Sequence, residues 1–280
     1  MTNRRTLLFI LLVFYSLNSK AQITPEQYFS IRQIYANKID TCTILKWSKD
    51  NQLTPDLSII FDRANLKMTM KDQRNDGLIE FIYNKDTQLI IQNLYSSSNN
   101  KEKRLISRDS FFYNSKKQKV RYKSVNFINQ KELPVEATYL YKNDTLITVV
   151  YTYGKEIFRT IVYAYDAKAN VNHQTVLSAK ATENYYYVYN NKHQLESYYS
   201  IGKSSTDTLF EHRYLYDAQG NQIEDQVYDF TGKLEHTYKK SYLENGLLNN
   251  EESFLLIKNE DLSTALYQKK VYRYGFRKSK

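Results

Sequence analysis

Glycine, proline and cysteine are all scarce in this chain. Of 280 residues, 7 are Gly, 3 are Pro and 1 is Cys, which excludes a collagen-like fibre and a disulfide-stapled fold. The lone Cys42 lies in a strand-like run, and we expect it to be a small buried hydrophobic residue rather than a nucleophile. The 24 Asn residues can supply the turns that glycine usually makes, because Asn tolerates the left-handed conformation.

Histidine and convergent acidic residues are also lacking. The four His residues (His173, His193, His212 and His236) lie 20, 19 and 24 residues apart, so no single strand supplies two metal ligands. Adjacent carboxylates such as Glu224 and Asp225 would point to opposite faces of a strand. We find no nucleophile elbow, phosphate-binding loop or calcium loop. The sequence therefore predicts no catalytic residue, no metal site and no cofactor.

Hydrophobic residues make up 41% of the chain and charged residues 25%, which excludes global disorder and a multi-span membrane protein. Tyrosine is the abundant residue: 27 Tyr, with 13 Phe and 1 Trp, make the chain 15% aromatic. Such a composition favours β-structure, in which aromatic and β-branched residues are enriched.

A predicted signal peptide occupies residues 1–21. Arg4 and Arg5 precede eleven mostly apolar residues, Leu7 to Leu17, and Ala21 ends a small-residue cleavage site. Eleven residues are too few for a membrane span of about 20. We therefore expect an exported chain, periplasmic or secreted, without a transmembrane segment once it is mature. An uncleaved N-terminal anchor is the alternative.

Charge does not indicate a nucleic-acid partner. Loss of the leader lowers the formal charge from +10 to +7, and the remaining basic residues are spread along the chain. The exceptions are the Lys116–Lys119 cluster and a basic tail at 277–280, which we interpret as solvated charge.

The mature chain opens with one helix candidate at 22–41. Thr24, Pro25 and Gln27 form a helix start with a capping box, and apolar residues then recur every three or four positions. We expect a short cap that covers one open end of a β domain.

The pattern of residues 42–276 predicts one antiparallel β domain of at least twelve strands. Asp76-Gly77 and Asn245-Gly246 predict two-residue hairpin turns, and Gly220-Asn221 and Thr231-Gly232 predict slightly longer ones. A box of aromatic, any residue, aromatic and then Asn, Asp or Lys recurs every 24 to 30 residues, so the repeating unit is a hairpin. The boxes begin at Phe81, Phe111, Tyr139, Tyr163, Tyr187 and Tyr214.

One copy carries a family resemblance. The segment Tyr214 to Ile223, Tyr-Leu-Tyr-Asp-Ala-Gln-Gly-Asn-Gln-Ile, resembles the tyrosine-aspartate (YD) repeat of rearrangement-hotspot and related bacterial cell-surface proteins. Segments 187–195 and 163–171 resemble degenerate copies, although most boxes lack the glycine of the repeat. The resemblance implies an exported, all-β hairpin-repeat scaffold and no catalytic residue.

The predicted fold class is all-β: a long antiparallel meander of hairpin repeats, curled into a roll, an open barrel or a sandwich, with one short N-terminal helix. In the strand from Thr208 to Tyr216, Phe210 and Tyr214 share one face, while Glu211 and Arg213 point the other way. A charged outer face argues against a barrel that faces lipid.

Two functions remain open. The first is an exported, non-enzymatic scaffold or binding protein of the bacterial cell envelope that contacts glycans or another envelope partner. The second is an exported enzyme that acts on polysaccharide through a site assembled across hairpins. By alternation we expect Tyr186, Tyr198 and Tyr228 to point outward and form a ligand-binding platform on which sugar rings stack. The sequence does not predict the oligomeric state.

Overall fold

The computed structural model describes residues 34, 37–47, 52–73, 77–97, 103–128, 134–201, 208–256 and 264–276. The predicted leader, most of the predicted helical cap, Asp76 and the basic tail lie outside these residues. In the described part, no helix is long and apolar enough to cross a bilayer.

The described residues contain eighteen strands, which form a single antiparallel sheet. Each strand pairs with the next along the chain, and β18 pairs with β1, so the meander closes into a barrel. The all-β meander predicted from the sequence is confirmed, and closure makes it a barrel rather than a sandwich. The strands are β1 Ile39–Trp47, β2 Leu53–Asp62, β3 Lys67–Asp72, β4 Leu78–Tyr83, β5 Leu89–Ser97, β6 Lys103–Tyr113, β7 Lys119–Asn126, β8 Val135–Lys142, β9 Thr145–Tyr153, β10 Glu156–Tyr165, β11 Val171–Ser178, β12 Thr182–Tyr189, β13 Leu195–Ile201, β14 Thr208–Tyr216, β15 Gln222–Asp229, β16 Leu234–Tyr242, β17 Leu248–Leu256 and β18 Thr264–Phe276.

The closing seam contains a close contact between a glycine and a threonine side chain. Thr41 of β1 lies opposite Gly275 of β18, and a Cβ atom at Gly275 would overlap the Thr41 hydroxyl. A larger residue at position 275 is therefore disfavoured by space, because the Thr41 side chain would have to move.

One face of the wall is the more buried, and we call it the inner face. From β1 to β11 this face is mainly apolar and forms the core, because alternate residues of each strand point to it. Cys42 lies in this core with 1% of its surface exposed, and burial raises the pKa of its thiol to about 12. The thiol is therefore protonated and behaves as the predicted small hydrophobic residue. Fully buried members of the core include Ile39, Ile44, Ile59, Met68, Phe81 and Val149.

The aromatic box ends in a five-residue turn. In the copy at Asp217–Asn221, the Asp217 carboxylate accepts hydrogen bonds from the backbone and side-chain amides of Asn221, at 2.8 and 2.9 Å. The fourth residue, Gly220, has a φ of +88°. Asn245-Gly246 belongs to the same kind of turn and not to the predicted two-residue one, because the Leu243 amide donates the closing backbone bond to the Leu247 carbonyl. The equivalent fourth residues are Thr87, Lys117, Ala169, His193, Gly232 and Gly246, all with positive φ.

The second aromatic residue of four boxes joins its hairpin to the preceding one through a hydrogen bond. The hydroxyl of Tyr216 donates to the Leu195 carbonyl of the preceding hairpin at 2.8 Å. These tyrosines occupy equivalent positions, and each is half-buried rather than fully buried. The same bond recurs from Tyr113 to Leu89, Tyr141 to Lys119, Tyr165 to Leu146, Tyr242 to Gln222 and Tyr274 to Leu248.

The outer face carries charge, as its sequence predicts. Ion pairs join Arg121 to Glu136, and Lys269 to Glu252. Charged side chains at these outward positions are unfavourable in the middle of a hydrocarbon layer.

Candidate functional site

A row of side chains crosses the outer face from β11 to β15. Backbone pairing places His173 opposite Tyr186, Tyr186 opposite Tyr199, Tyr199 opposite Glu211, and Glu211 opposite Tyr228. We call these five residues the outer row. The row has three aromatic residues at one end, His173, Tyr186 and Tyr199. At its other end the charged Glu211 lies beside Tyr228.

The rings of the outer row stack on one another. The centroids of His173 and Tyr186 are 4.6 Å apart with planes at 20°, and those of Tyr186 and Tyr199 are 5.3 Å apart with planes at 17°. Rings that stack in this way on adjacent strands stand perpendicular to the sheet. Each ring therefore covers the flat side of its neighbour. The outer row therefore presents ring edges and hydroxyls to solvent, and not the flat platform expected from the sequence.

The aromatic end of the row is held by a polar network. A ring nitrogen of His173, Nε2, lies 3.2 Å from the side-chain oxygen of Asn184. The hydroxyl of Thr175 donates to the same oxygen at 3.0 Å. These contacts fix the plane of the imidazole ring on which Tyr186 stacks.

The charged end is held by an ion pair and a cation–π contact. The Arg213 guanidinium donates two hydrogen bonds to the Glu211 carboxylate, both at 2.9 Å. The same guanidinium lies 4.5 Å from the ring centroid of Tyr228. The Tyr228 hydroxyl donates to Gln226 at 2.8 Å, and the Gln226 amide donates to Glu224 at 2.7 Å. This end offers carboxylate, amide and guanidinium groups side by side.

Of the three predicted site residues, Tyr186 and Tyr228 lie in the outer row and Tyr198 does not. Tyr198 pairs with Tyr187 and His212, and its ring stacks on both, at 6.0 and 4.6 Å, on the inner face. The outward prediction for Tyr198 is wrong. Tyr199 takes the place that was predicted for Tyr198.

A β-bulge explains the error. Tyr189 pairs with Leu195 and Val188 pairs with Ser197, so Glu196 is an extra residue in β13. One extra residue reverses the face of everything beyond it, whereas strict alternation from Leu195 places Tyr198 outside. The same shift recurs beside the second aromatic residue of the boxes ending at Tyr83, Tyr113, Tyr141, Tyr165 and Tyr216, and also beside Tyr242.

A second cluster lies on the inner face directly behind the row. His212 Nδ1 and Asp225 Oδ1 are 2.8 Å apart, and their side chains are 10% and 15% exposed. Tyr198 stacks on the imidazole ring, and Phe210 meets it edge-on at 5.8 Å. An enzyme site would need a histidine and a carboxylate in a cleft. This pair is instead covered by aromatic rings.

The tyrosines around Asp225 are held in their neutral form. Burial raises the pKa of Tyr198 and Tyr214, and the nearby Asp225 carboxylate raises both further. These phenols can donate hydrogen bonds at neutral pH but are not available as phenolate bases. Among the described residues, no group of three His, Cys, Asp or Glu side chains could hold a metal ion.

No family model and no curated protein matches this chain. Among solved structures, it is similar to a porin-like protein from Bacteroides uniformis at 10% identity, over 85% of this chain and 97% of that one, with a TM-score of 0.49. A porin-like protein from Bacteroides vulgatus matches at 10% identity over 74% of this chain and 99% of that one, with a TM-score of 0.36. The TcdB2-TccC3 structure matches at 10% identity and a TM-score of 0.31, over 78% of this chain and 15% of that one.

Proposed function

We propose that this chain is an exported, non-enzymatic β-barrel scaffold of the bacterial cell envelope whose outer row contacts glycans. The observation that carries the proposal is the half-exposed outer row itself, in which tyrosine hydroxyls lie in line with Glu211 and Tyr228, the two residues that Arg213 contacts. The predicted leader at residues 1–21 supports export.

The barrel wall suits a scaffold. Its hairpins are joined by repeated tyrosine–carbonyl bonds, and its turns are closed by their own side chains, as in Asp217–Asn221. Kinship with YD-repeat proteins is part of the proposal, and the turn formed by Tyr214 to Ile223 and its degenerate copies supports it.

Contact with a glycan would use hydrogen bonds more than stacking. The hydroxyls of Tyr186 and Tyr199 make no hydrogen bond to another described residue, so they are available to sugar hydroxyls. Glu211 and Gln226 add acceptors, and Arg213 adds donors that suit an acidic sugar.

A glycan array and polysaccharide pull-downs with the mature chain test the proposal. We expect binding by the native chain and at least a tenfold loss in a variant with Tyr186, Tyr199 and Tyr228 all changed to Ala, since about 1.4 kcal/mol corresponds to tenfold. The matched control changes Thr138, Leu140 and Thr160 to Ala, on the outer face of β8 and β10. If both variants bind like the native chain, or if the native chain does not bind, the glycan proposal fails.

A further inference from the structure

The tyrosine pair at the centre of the outer row, Tyr186 and Tyr199, can undergo oxidative coupling. We infer that Tyr186 and Tyr199 form an oxidative cross-linking site, at which a covalent bond between their Cε carbons joins β12 to β13. The inference does not rest on the proposed glycan contact.

The pair is placed for coupling. Tyr186 and Tyr199 are directly opposite in the antiparallel ladder, and their ring centroids are 5.3 Å apart. Directly opposite residues have Cβ atoms about 5 Å apart, so the two rings project side by side from the outer face. The χ2 torsion of tyrosine is broad and two-fold, and rotation about it turns the stacked rings edge to edge, with a Cε carbon of each facing the other. Neither hydroxyl is hydrogen-bonded to a described residue, so rotation breaks no such bond.

The reaction balances with a peroxide as oxidant. A one-electron oxidant generated from hydrogen peroxide removes one electron and one proton from each phenol, which leaves two phenoxyl radicals. The radicals combine through their Cε carbons, and the hydrogen on each of those carbons moves to its phenol oxygen, which restores both rings. Two phenols and one hydrogen peroxide thus give one dityrosine and two waters.

The neighbouring inner pair provides the contrast. Tyr187 and Tyr198 also lie opposite each other and stack, with centroids 6.0 Å apart. Burial raises the pKa of Tyr187 to about 12 and raises that of Tyr198 as well, which makes loss of the phenol proton less favourable there. The Tyr187 hydroxyl also donates to Gln174 at 2.7 Å, which restrains the ring. Oxidation should therefore select the outer pair.

The test treats the monomer fraction of the mature chain with hydrogen peroxide and a haem peroxidase. Fragment mass spectra of the digested protein identify the linked residues, and dityrosine fluorescence follows the yield. We expect a link between Tyr186 and Tyr199 with a loss of two hydrogen atoms. The yield should fall at least tenfold in Tyr186→Phe and in Tyr199→Phe, and it should be unchanged in the matched control Tyr198→Phe. Each Phe variant keeps the ring and its packing, so thermal melts should show all three folded.

The cross-link should also raise Tm. It closes the loop of residues 186–199, and a staple over such a loop restricts the unfolded chain, with an expected increase on the order of 5 °C. A link that persists in Tyr199→Phe, a link that joins Tyr187 to Tyr198, or oxidised monomer without any link would each overturn the inference. None of these results depends on whether the native chain binds a glycan.

Discussion

The rings of Tyr185 and Phe210 meet above Ser200, with centroids 6.3 Å apart. They belong to β12 and β14, the two strands that flank β13, and both residues pair with Ser200. The serine is 3% exposed, and its hydroxyl has no hydrogen-bond partner. The two rings therefore seal a polar group away from water.

Ser200→Ala should stabilise the protein. Loss of a buried hydroxyl without a partner removes a desolvation cost, and we expect a gain of about 1 kcal/mol in the free energy of unfolding. Denaturant titration measures it. The control Ser197→Ala changes an outward serine of the same strand and should stay within about 0.5 kcal/mol of the native chain. A loss of stability in Ser200→Ala would mean that the hydroxyl has a role the packing does not reveal.

Tyr216→Phe tests the bond between hairpins. The substitution keeps the ring and deletes the hydroxyl that donates to the Leu195 carbonyl, so we expect a loss of about 1 kcal/mol. Tyr199→Phe is the matched control, because that hydroxyl makes no bond to a described residue, and its stability should not change. Equal stabilities for the two variants would show that the repeated hydroxyl bonds do not stabilise the wall.

The turn aspartates should make stability depend on pH. Hydrogen bonds from the side chain and backbone of Asn221 lower the pKa of Asp217, and Asn170 does the same for Asp166. A folded pKa below the unfolded value adds stability above the unfolded pKa, and this stability is lost as pH falls through the folded pKa. As pH falls, the Tm of the native chain should drop relative to that of a double variant, Asp166→Asn and Asp217→Asn, because the variant has no carboxylate to protonate at these two turns. Asn190 shows that Asn closes the same turn, since its side chain accepts from the Gln194 backbone amide.

A difference in Tm between the native chain and the double variant that stays the same at every pH would contradict this prediction.

Ala169→Gly should stabilise the β10–β11 turn. Ala169 has a φ of +63°, and Gly220 occupies the same turn position with a φ of +88°. A Cβ atom disfavours this conformation by about 1–2 kcal/mol, part of which is offset by the greater freedom of glycine in the unfolded chain. We expect a gain of about 0.5 kcal/mol for Ala169→Gly and a loss of about 1 kcal/mol for Gly220→Ala by denaturant titration. The same sign for both changes would rule out backbone conformation as the cause.

The sequence predicts the hairpin meander well because its signals are local. The aromatic box, the polar turn after it and the alternation within each strand all act within ten residues. They predict at least twelve strands, and the described residues contain 18. Closure was not predictable, since pairing of β1 with β18 depends on the accumulated tilt and register of all the strands. The outer row was predicted only in part for a related reason. Tyr186 and Tyr228 follow alternation, but the bulge at Glu196 exchanges Tyr198 for Tyr199.

The bulge could have been inferred from the repeat. It lies at the second residue of the strand that follows each five-residue box turn. Recognising the bulge in one copy would have corrected the predicted side-chain directions in the other copies. His173 could not have been found in this way, because nothing in its local sequence distinguishes an imidazole stacked on Tyr186 from one exposed to solvent.

The pairing of β1 with β18 bears on how the chain reaches its native state. All other neighbours are joined by short connections, whereas the two strands of the seam are separated by nearly the whole domain. Until they meet, the molecule is an open sheet with two unpaired edges, each able to recruit a strand from another chain. Pairing of strands this far apart in sequence carries a large loop-closure cost, and an unpaired β1 or β18 edge is open to misassembly. Gly275 and Thr41 lie opposite each other in this seam, and a larger side chain at position 275 would have to displace the Thr41 hydroxyl for the same pairing to form.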